Sequence, residues 1–174
     1  IEWFGPYVKR VRDFLLRRAL ILSIDLKVPV LIHTGLGDTD IQASKCNPAF
    51  LAELLKDEAI TPARVLLIHG GYPYTIEAGW LANVLPNVYL ELSSSLPPFL
   101  EPAVSANRYG ELLRWVPVPK LIYGSDGSEF PEILWYYAKM AKRSMEKALA
   151  ELVEEDIFSV NEALEQGENI FSNN

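Results

Sequence analysis

The chain has 174 residues, 49% hydrophobic and 22% charged, the balance of a globular domain and not of a disordered chain. A net charge of -7 and a sequence pI near 4.9 argue against sequence-independent binding to nucleic acid or to an anionic membrane, both of which want a basic surface. Cys46 is the single cysteine, so no internal disulfide is possible, which fits a reducing compartment. No apolar run reaches the roughly 18 residues of a membrane span and the N-terminus lacks a secretory pattern, so a cytoplasmic protein is expected.

Residues 6–26 read as a helix: Pro6 suits a first turn, and Val8, Val11, Leu15, Ala19 and Leu22 form one stripe. Lys9, Arg10, Arg12, Arg17 and Arg18 alternate with those apolar positions at helical spacing, the pattern of a solvated face and not of a nucleic-acid patch. "VPVLIH" (residues 28–33) is too short for a helix and apolar on both faces, as in parallel sheets covered on both sides. A long loop follows, then "NPAFLAELLKDE", where Asn47 can cap and Pro48 takes the first helical position. Strand "RVLLIH" precedes a helix beginning near Thr75. Strand "NVYLEL" precedes the Ser/Pro-rich loop "SSSLPPFLEP" and a helix around residues 106–115. Strand "KLIYG" leads through "SDGSEFP" into a long helix of roughly residues 131–155. A last helix opens with "SVNE", in which Ser159 and Glu162 have capping-box spacing.

The order is one helix, four β-loop-α units and a terminal helix, which predicts parallel strands joined by right-handed crossovers within a single α/β domain over residues 1–174. Four such units make either a small open sheet or one half of an eight-stranded barrel, and composition does not separate these. No internal repeat or linker interrupts the chain.

Ligands of parallel α/β folds bind where the C-terminal ends of the strands gather. His33 ends the first strand, His69 ends the second, and Asp126 lies just past the fourth; these are the only two histidines in the protein. A lone strand-end histidine is more often a satisfied polar residue than a ligand. Three equivalent placements bring shared ligation of a divalent metal such as zinc level with that simpler explanation, and spacing does not supply the metal's identity. Gly35 and Gly37 behind His33, and Gly70 and Gly71 behind His69, would let backbone pass close to a substrate. Other candidates have simpler explanations. Asp38 and Asp40 could contact substrate or a second metal, but Asp is common in solvated turns. Tyr72 and Tyr74 line a pocket or pack beneath a loop. Glu91, near a strand end, could ligate, bind substrate or be buried and paired. Glu132 suits the first turn of its helix through the helix dipole alone. Cys46 has no neighbouring base in sequence and reads as a packing residue. No phosphate loop, dinucleotide fingerprint, nucleophile elbow or CxxC occurs.

Together "PVLIHTGLGD", "LLIHGGYPYTIEAGWLA", "NVYLELS", "KLIYGSDGSEFPE" and "AKRSMEKALAELV" resemble the amidohydrolase-related metal-dependent hydrolases, which have a TIM-barrel fold. The nearest look is to the amidohydrolase domain fused to a glutamine synthetase-like domain in nodulin-like proteins. The resemblance implies that this chain is the C-terminal half of the barrel, strands five to eight. It implies metal ligation by His33, His69 and Asp126, with catalytic roles for His69 and Asp126, the latter as proton shuttle. It also implies hydrolysis of a carbon-nitrogen bond in a small amide, with glutamate-like amides suggested by the fused branch. The family's strand-one His-x-His is absent here, so the fragment alone is expected to be inactive. Strands one to four would then come from another segment, a second copy or another chain. The alternatives are a non-catalytic α/β binding module and a related metal-dependent decarboxylase. On the half-barrel reading both outer strands are open edges, Leu31 and Leu67 line an uncovered inner face, and the segment after Ser159 is the one internal candidate to cover an edge.

Overall fold

A computed structural model describes residues 6–37, 41–93, 101–127 and 130–174. Four parallel strands form one sheet in the order β1-β2-β3-β4: β1 (Val30–His33), β2 (Val65–Ile68), β3 (Val88–Glu91) and β4 (Leu121–Ile122). Helix α1 (Pro6–Leu26) precedes the sheet. Between strands lie α2 (Ala52–Leu55), α3 (Thr75–Val84) and α4 (Glu101–Leu113), and α5 (Pro131–Glu154) and α6 (Val160–Glu168) follow it. The alternation read from the sequence is therefore present, with sequential strands as neighbours.

Local chemistry explains most boundaries. Asn47 accepts from the Ala49 amide at 2.9 Å, but Pro48–Leu51 winds as a 3-10 turn before the single α-helical turn of α2. The expected longer helix is thus mostly a tight connector. Helix α4 begins at Glu101, earlier than its apolar periodicity indicates, and β4 shrinks to two residues. Ser159 and Glu162 form the anticipated capping box at the start of α6.

Register decides which residues the sheet buries. Val30, Ile32, Val65, Leu67, Val88, Leu90 and Leu121 share the helix-covered face, where Leu67, Leu90 and Leu121 are fully buried. The opposite face carries Leu31, Leu66, Tyr89 and Ile122, and there Leu31 is 56% exposed. Leu31 and Leu67 therefore lie on opposite faces, because Leu31 pairs with Leu66 and Ile32 with Leu67. The expectation that both line the inner face is corrected by one residue of register, which reverses the facing of a whole strand. Among the described residues, helices cover one face of the sheet. Helix α1 is open in the same way: Tyr7, Val11, Phe14 and Leu15 are exposed, while Leu20 is anchored in the core.

The two outer strands differ. Beyond β4, the Tyr123 amide donates to Ile170 O at 3.0 Å, and the Asn174 side-chain amide donates to Leu121 O at 2.9 Å. The Tyr123 ring packs on Phe171. Residues 169–174 thus occupy the free side of β4, and among the described residues β1 is the open edge. Of the two routes weighed from sequence, the C-terminal segment covers this edge.

Candidate metal centre at the C-terminal strand ends

His33 closes β1 and is exposed on the open face; His69 follows β2 and is only 3% exposed. The strands deliver them side by side, with ring centroids 4.6 Å apart in an edge-on arrangement. Two imidazoles sharing one ion through bonds of about 2 Å place their centroids roughly 4.5–5 Å apart, so this separation suits a common ligand. His33 Nε2 donates to Leu36 O at 3.1 Å, since a carbonyl can only accept, and its Nδ1 has no hydrogen-bond partner among the described residues. A Cβ on Gly37 would overlap the His33 ring, so glycine is required where the loop folds back over the imidazole. The loop behind His33 closes on itself through Gly35 N donating to Cys46 O, and it is tied to the β2 end by Leu36 N donating to Tyr72 O and Thr34 Oγ1 to Ile68 O. Those glycines serve loop-on-loop packing, and Cys46 contributes its carbonyl.

His69 sits on a left-handed backbone, φ 66°, and so does Asp126, φ 51°. Such a conformation costs about 1–2 kcal/mol for a residue with a Cβ and persists where surrounding structure imposes it. What imposes it at His69 is a buried polar cluster. Glu91 Oε2 accepts from the His69 amide at 3.2 Å and from Ser93 Oγ at 2.6 Å, while its Oε1 accepts from the Ser93 amide at 2.8 Å. His69 Nδ1 lies 3.0 Å from Ser93 Oγ. Gly124 makes room for the carboxylate, because a Cβ there would overlap Glu91.

Arg108, from α4 and 5% exposed, donates to the carbonyls of His69 (3.3 Å), Ser93 (3.2 Å) and Leu92 (2.7 Å). One guanidinium thus ties the ends of β2 and β3 to α4. The sequence offered no signal for Arg108 or Ser93, since each is an ordinary residue for its local context. Glu91 resolves as the buried, hydrogen-bonded alternative among those read from the sequence.

Burial pushes the His69 pKa below the ordinary imidazole value; Asp126 and Glu91 oppose this through their charges, and His33 and Arg108 add to it. Asp126, exposed after β4, is therefore close enough for its charge to act on His69. Neutral imidazoles are the form a metal takes. Two ring nitrogens whose opposite nitrogens already have fixed partners, with a carboxylate nearby, fit a divalent ion in donor chemistry. Among the described residues, however, no group of three His, Cys, Asp or Glu is arranged to hold one, so the fit is that of a partial donor set. Of the remaining candidates, Tyr74 donates to Ala43 O and packs the loop, and Glu132 is exposed in the first turn of α5. Asp38 and Asp40 lie outside the described residues.

A four-stranded parallel sheet in sequential order, with histidines at adjacent strand ends and an aspartate after the last strand, is the arrangement of part of a (β/α) barrel. The family model described as Amidohydrolase matches residues 6–161, and the chain belongs to the amidohydrolase family. It is 35% identical over 171 residues to Protein fluG of Emericella nidulans, covering 95% of this chain and 19% of that protein. A crystal structure from Lactobacillus casei ATCC 334, assigned as a metal-dependent hydrolase, superposes with a TM-score of 0.78 at 26% identity. That match covers 91% of this chain and 40% of the other. The chain thus spans about a fifth of the length of the curated relative and two fifths of the solved one. Among the described residues, no helix is long and apolar enough to cross a membrane.

Proposed function

We propose that this chain carries the second half of a metal-dependent amidohydrolase that cleaves the carbon-nitrogen bond of a small amide, with zinc as the metal and the cytoplasm as its compartment. The observation that carries the reading is the 4.6 Å pairing of His33 and His69 at adjacent strand ends, each with one nitrogen engaged and one available. His33 Nδ1 and His69 Nε2 would hold the ion together with Asp126. A divalent ion at that position supplies Lewis acidity towards the amide carbonyl. Asp126, exposed at the rim, takes the proton of the attacking water on a carboxylate oxygen and returns it to the leaving nitrogen. Buried His69 keeps its orientation through the contact at Nδ1, so its open nitrogen stays aimed while substrate exchanges.

Catalytic zinc usually has three protein ligands and an open position. With the partial donor set present here, this chain alone should bind metal weakly and turn over little amide. The uncovered sheet face, with Leu31, and the exposed first turns of α1 would pack against the remaining barrel strands, from another segment or a second copy. Elemental analysis of the purified chain after zinc loading, beside His33→Ala and His69→Ala, tests the reading. Zinc uptake that falls in both variants supports it; zinc content unchanged by either, or full-rate amide hydrolysis by this chain alone, overturns it. A second reading, a non-catalytic module, draws on the lack of a three-donor group among the described residues. It predicts no zinc uptake in the same experiment.

A further inference from the structure

His69 has two ring nitrogens, and a neutral imidazole can carry its proton on either. The nitrogen facing the protein interior is Nδ1, 3.0 Å from Ser93 Oγ. That hydroxyl has one proton to give, and Glu91 Oε2 lies 2.6 Å away. A carboxylate is an acceptor only. If Ser93 gives its proton to Glu91, its oxygen accepts from Nδ1–H and the chain His69 → Ser93 → Glu91 is complete. If His69 carries its proton on Nε2 instead, Nδ1 must draw the Ser93 proton, and two oxygens at 2.6 Å face each other without one. The second arrangement forfeits a charge-assisted bond inside a buried cluster.

Backbone contacts among the described residues hold the cluster in place. Glu91 is held by the backbone amides of His69 and Ser93, so the relay is anchored to the residues it serves. Arg108 holds the carbonyls of His69 and Ser93, which fixes the spacing between the two strand ends. His69, Ser93 and Glu91 are all buried, so water cannot readily substitute for a lost partner.

We propose that Ser93 and Glu91 are positioning residues that hold His69 as the Nδ1–H tautomer and so leave its Nε2 unprotonated beside the His33 ring. This rests on the metal-site reading for its purpose, though not for its geometry. His33 receives the opposite assignment, because its Nε2 donates to Leu36 O and its Nδ1 is bare. The two histidines of the protein should therefore be opposite tautomers, each turned so that its free nitrogen is available. A single charge-assisted bond favours one tautomer by roughly tenfold or more.

The test is a long-range proton–nitrogen correlation spectrum of the histidine-labelled 174-residue chain, without metal, at a pH where both rings are neutral. With only two histidines, His33→Gln assigns the signals. The expected result is one Nδ1–H ring, His69, and one Nε2–H ring, His33. Ser93→Ala should turn His69 into a tautomer mixture, Ser93→Thr should restore the wild-type pattern, and Glu91→Gln should weaken the bias. An Nε2–H His69 in the wild type, or an Nδ1–H signal untouched by Ser93→Ala, overturns the proposal. The Ser93→Thr variant and the wild-type spectrum carry the test if Ser93→Ala folds poorly. A zinc titration then reads the consequence: Ser93→Ala should lower affinity about 10- to 100-fold, as for other outer partners of metal-bound histidines. Should the wild type show the expected tautomers but take up no zinc, the assignment of Ser93 and Glu91 stands and the metal reading of the site falls.

Discussion

Replacing Arg108 with Met removes the tie between α4 and the two strand ends that carry the site. Three carbonyls lose a donor: those of His69, Leu92 and Ser93. Leu92 O retains the Tyr109 hydroxyl at 3.3 Å and His69 O retains the Tyr72 amide at 3.1 Å, so among the described residues one carbonyl, that of Ser93, loses its donor in a buried cluster. Such a group costs about 1–3 kcal/mol. Against this, Met relieves the burial of a guanidinium whose Nε has no partner among the described residues. The balance is a loss of about 1–2 kcal/mol, set against the roughly 5–15 kcal/mol that keeps a typical domain folded. Urea unfolding followed by tryptophan fluorescence should show the midpoint falling by about 0.5–1 M with the slope unchanged. Arg108→Lys keeps the charge but cannot fork to several carbonyls, so it should lie between wild type and Met. A Met variant within about 0.5 kcal/mol of wild type, the range of ordinary surface changes, would refute the reasoning. So would a Lys variant as stable as Arg.

Leu67→Ala should cost about 2–5 kcal/mol as a core truncation, whereas Leu31→Ala, on the open face, should stay within about 0.5 kcal/mol; equal costs in denaturant melts would contradict the register. In a longer protein that covers this face, the Leu31 cost should rise. The Glu162 carboxyl is held below its ordinary value of 4.5 by the Ser159 hydroxyl and then the Ser159 amide. Its contribution is therefore fully present above that value and is lost as pH falls through the lower folded-state value. Amide exchange in α6 should accelerate in acid relative to the Glu162→Gln variant, and identical acid responses would exclude the coupling. The Tyr123 amide, bonded to Ile170 O, should be protected from exchange in the intact chain and lose that protection when residues 169–174 are deleted. Fast exchange of that amide in the intact chain would show that the β4 edge is open.

The sequence by itself determined what depends on near neighbours. Apolar runs too short for helices, punctuated by Gly, Pro and Asn, dictate four β/α units, and the Ser159–Glu162 spacing dictates a capped helix. Both histidines and Asp126 could be assigned to one edge because every strand of a parallel sheet ends on the same side. What only the tertiary structure decided depends on register and on contacts between distant segments. Leu31 and Leu67 look alike in their runs, yet register sends one to the open face and the other to the core. The covering of β4 by residues 169–174 joins positions about 50 apart and leaves no local pattern. Ser93, Glu91 and Arg108 became partners of His69 for the same reason. Each of these hydrogen bonds spans a crossover or more of chain, and a side chain's partner across such a distance is fixed by packing, not by its neighbours in sequence.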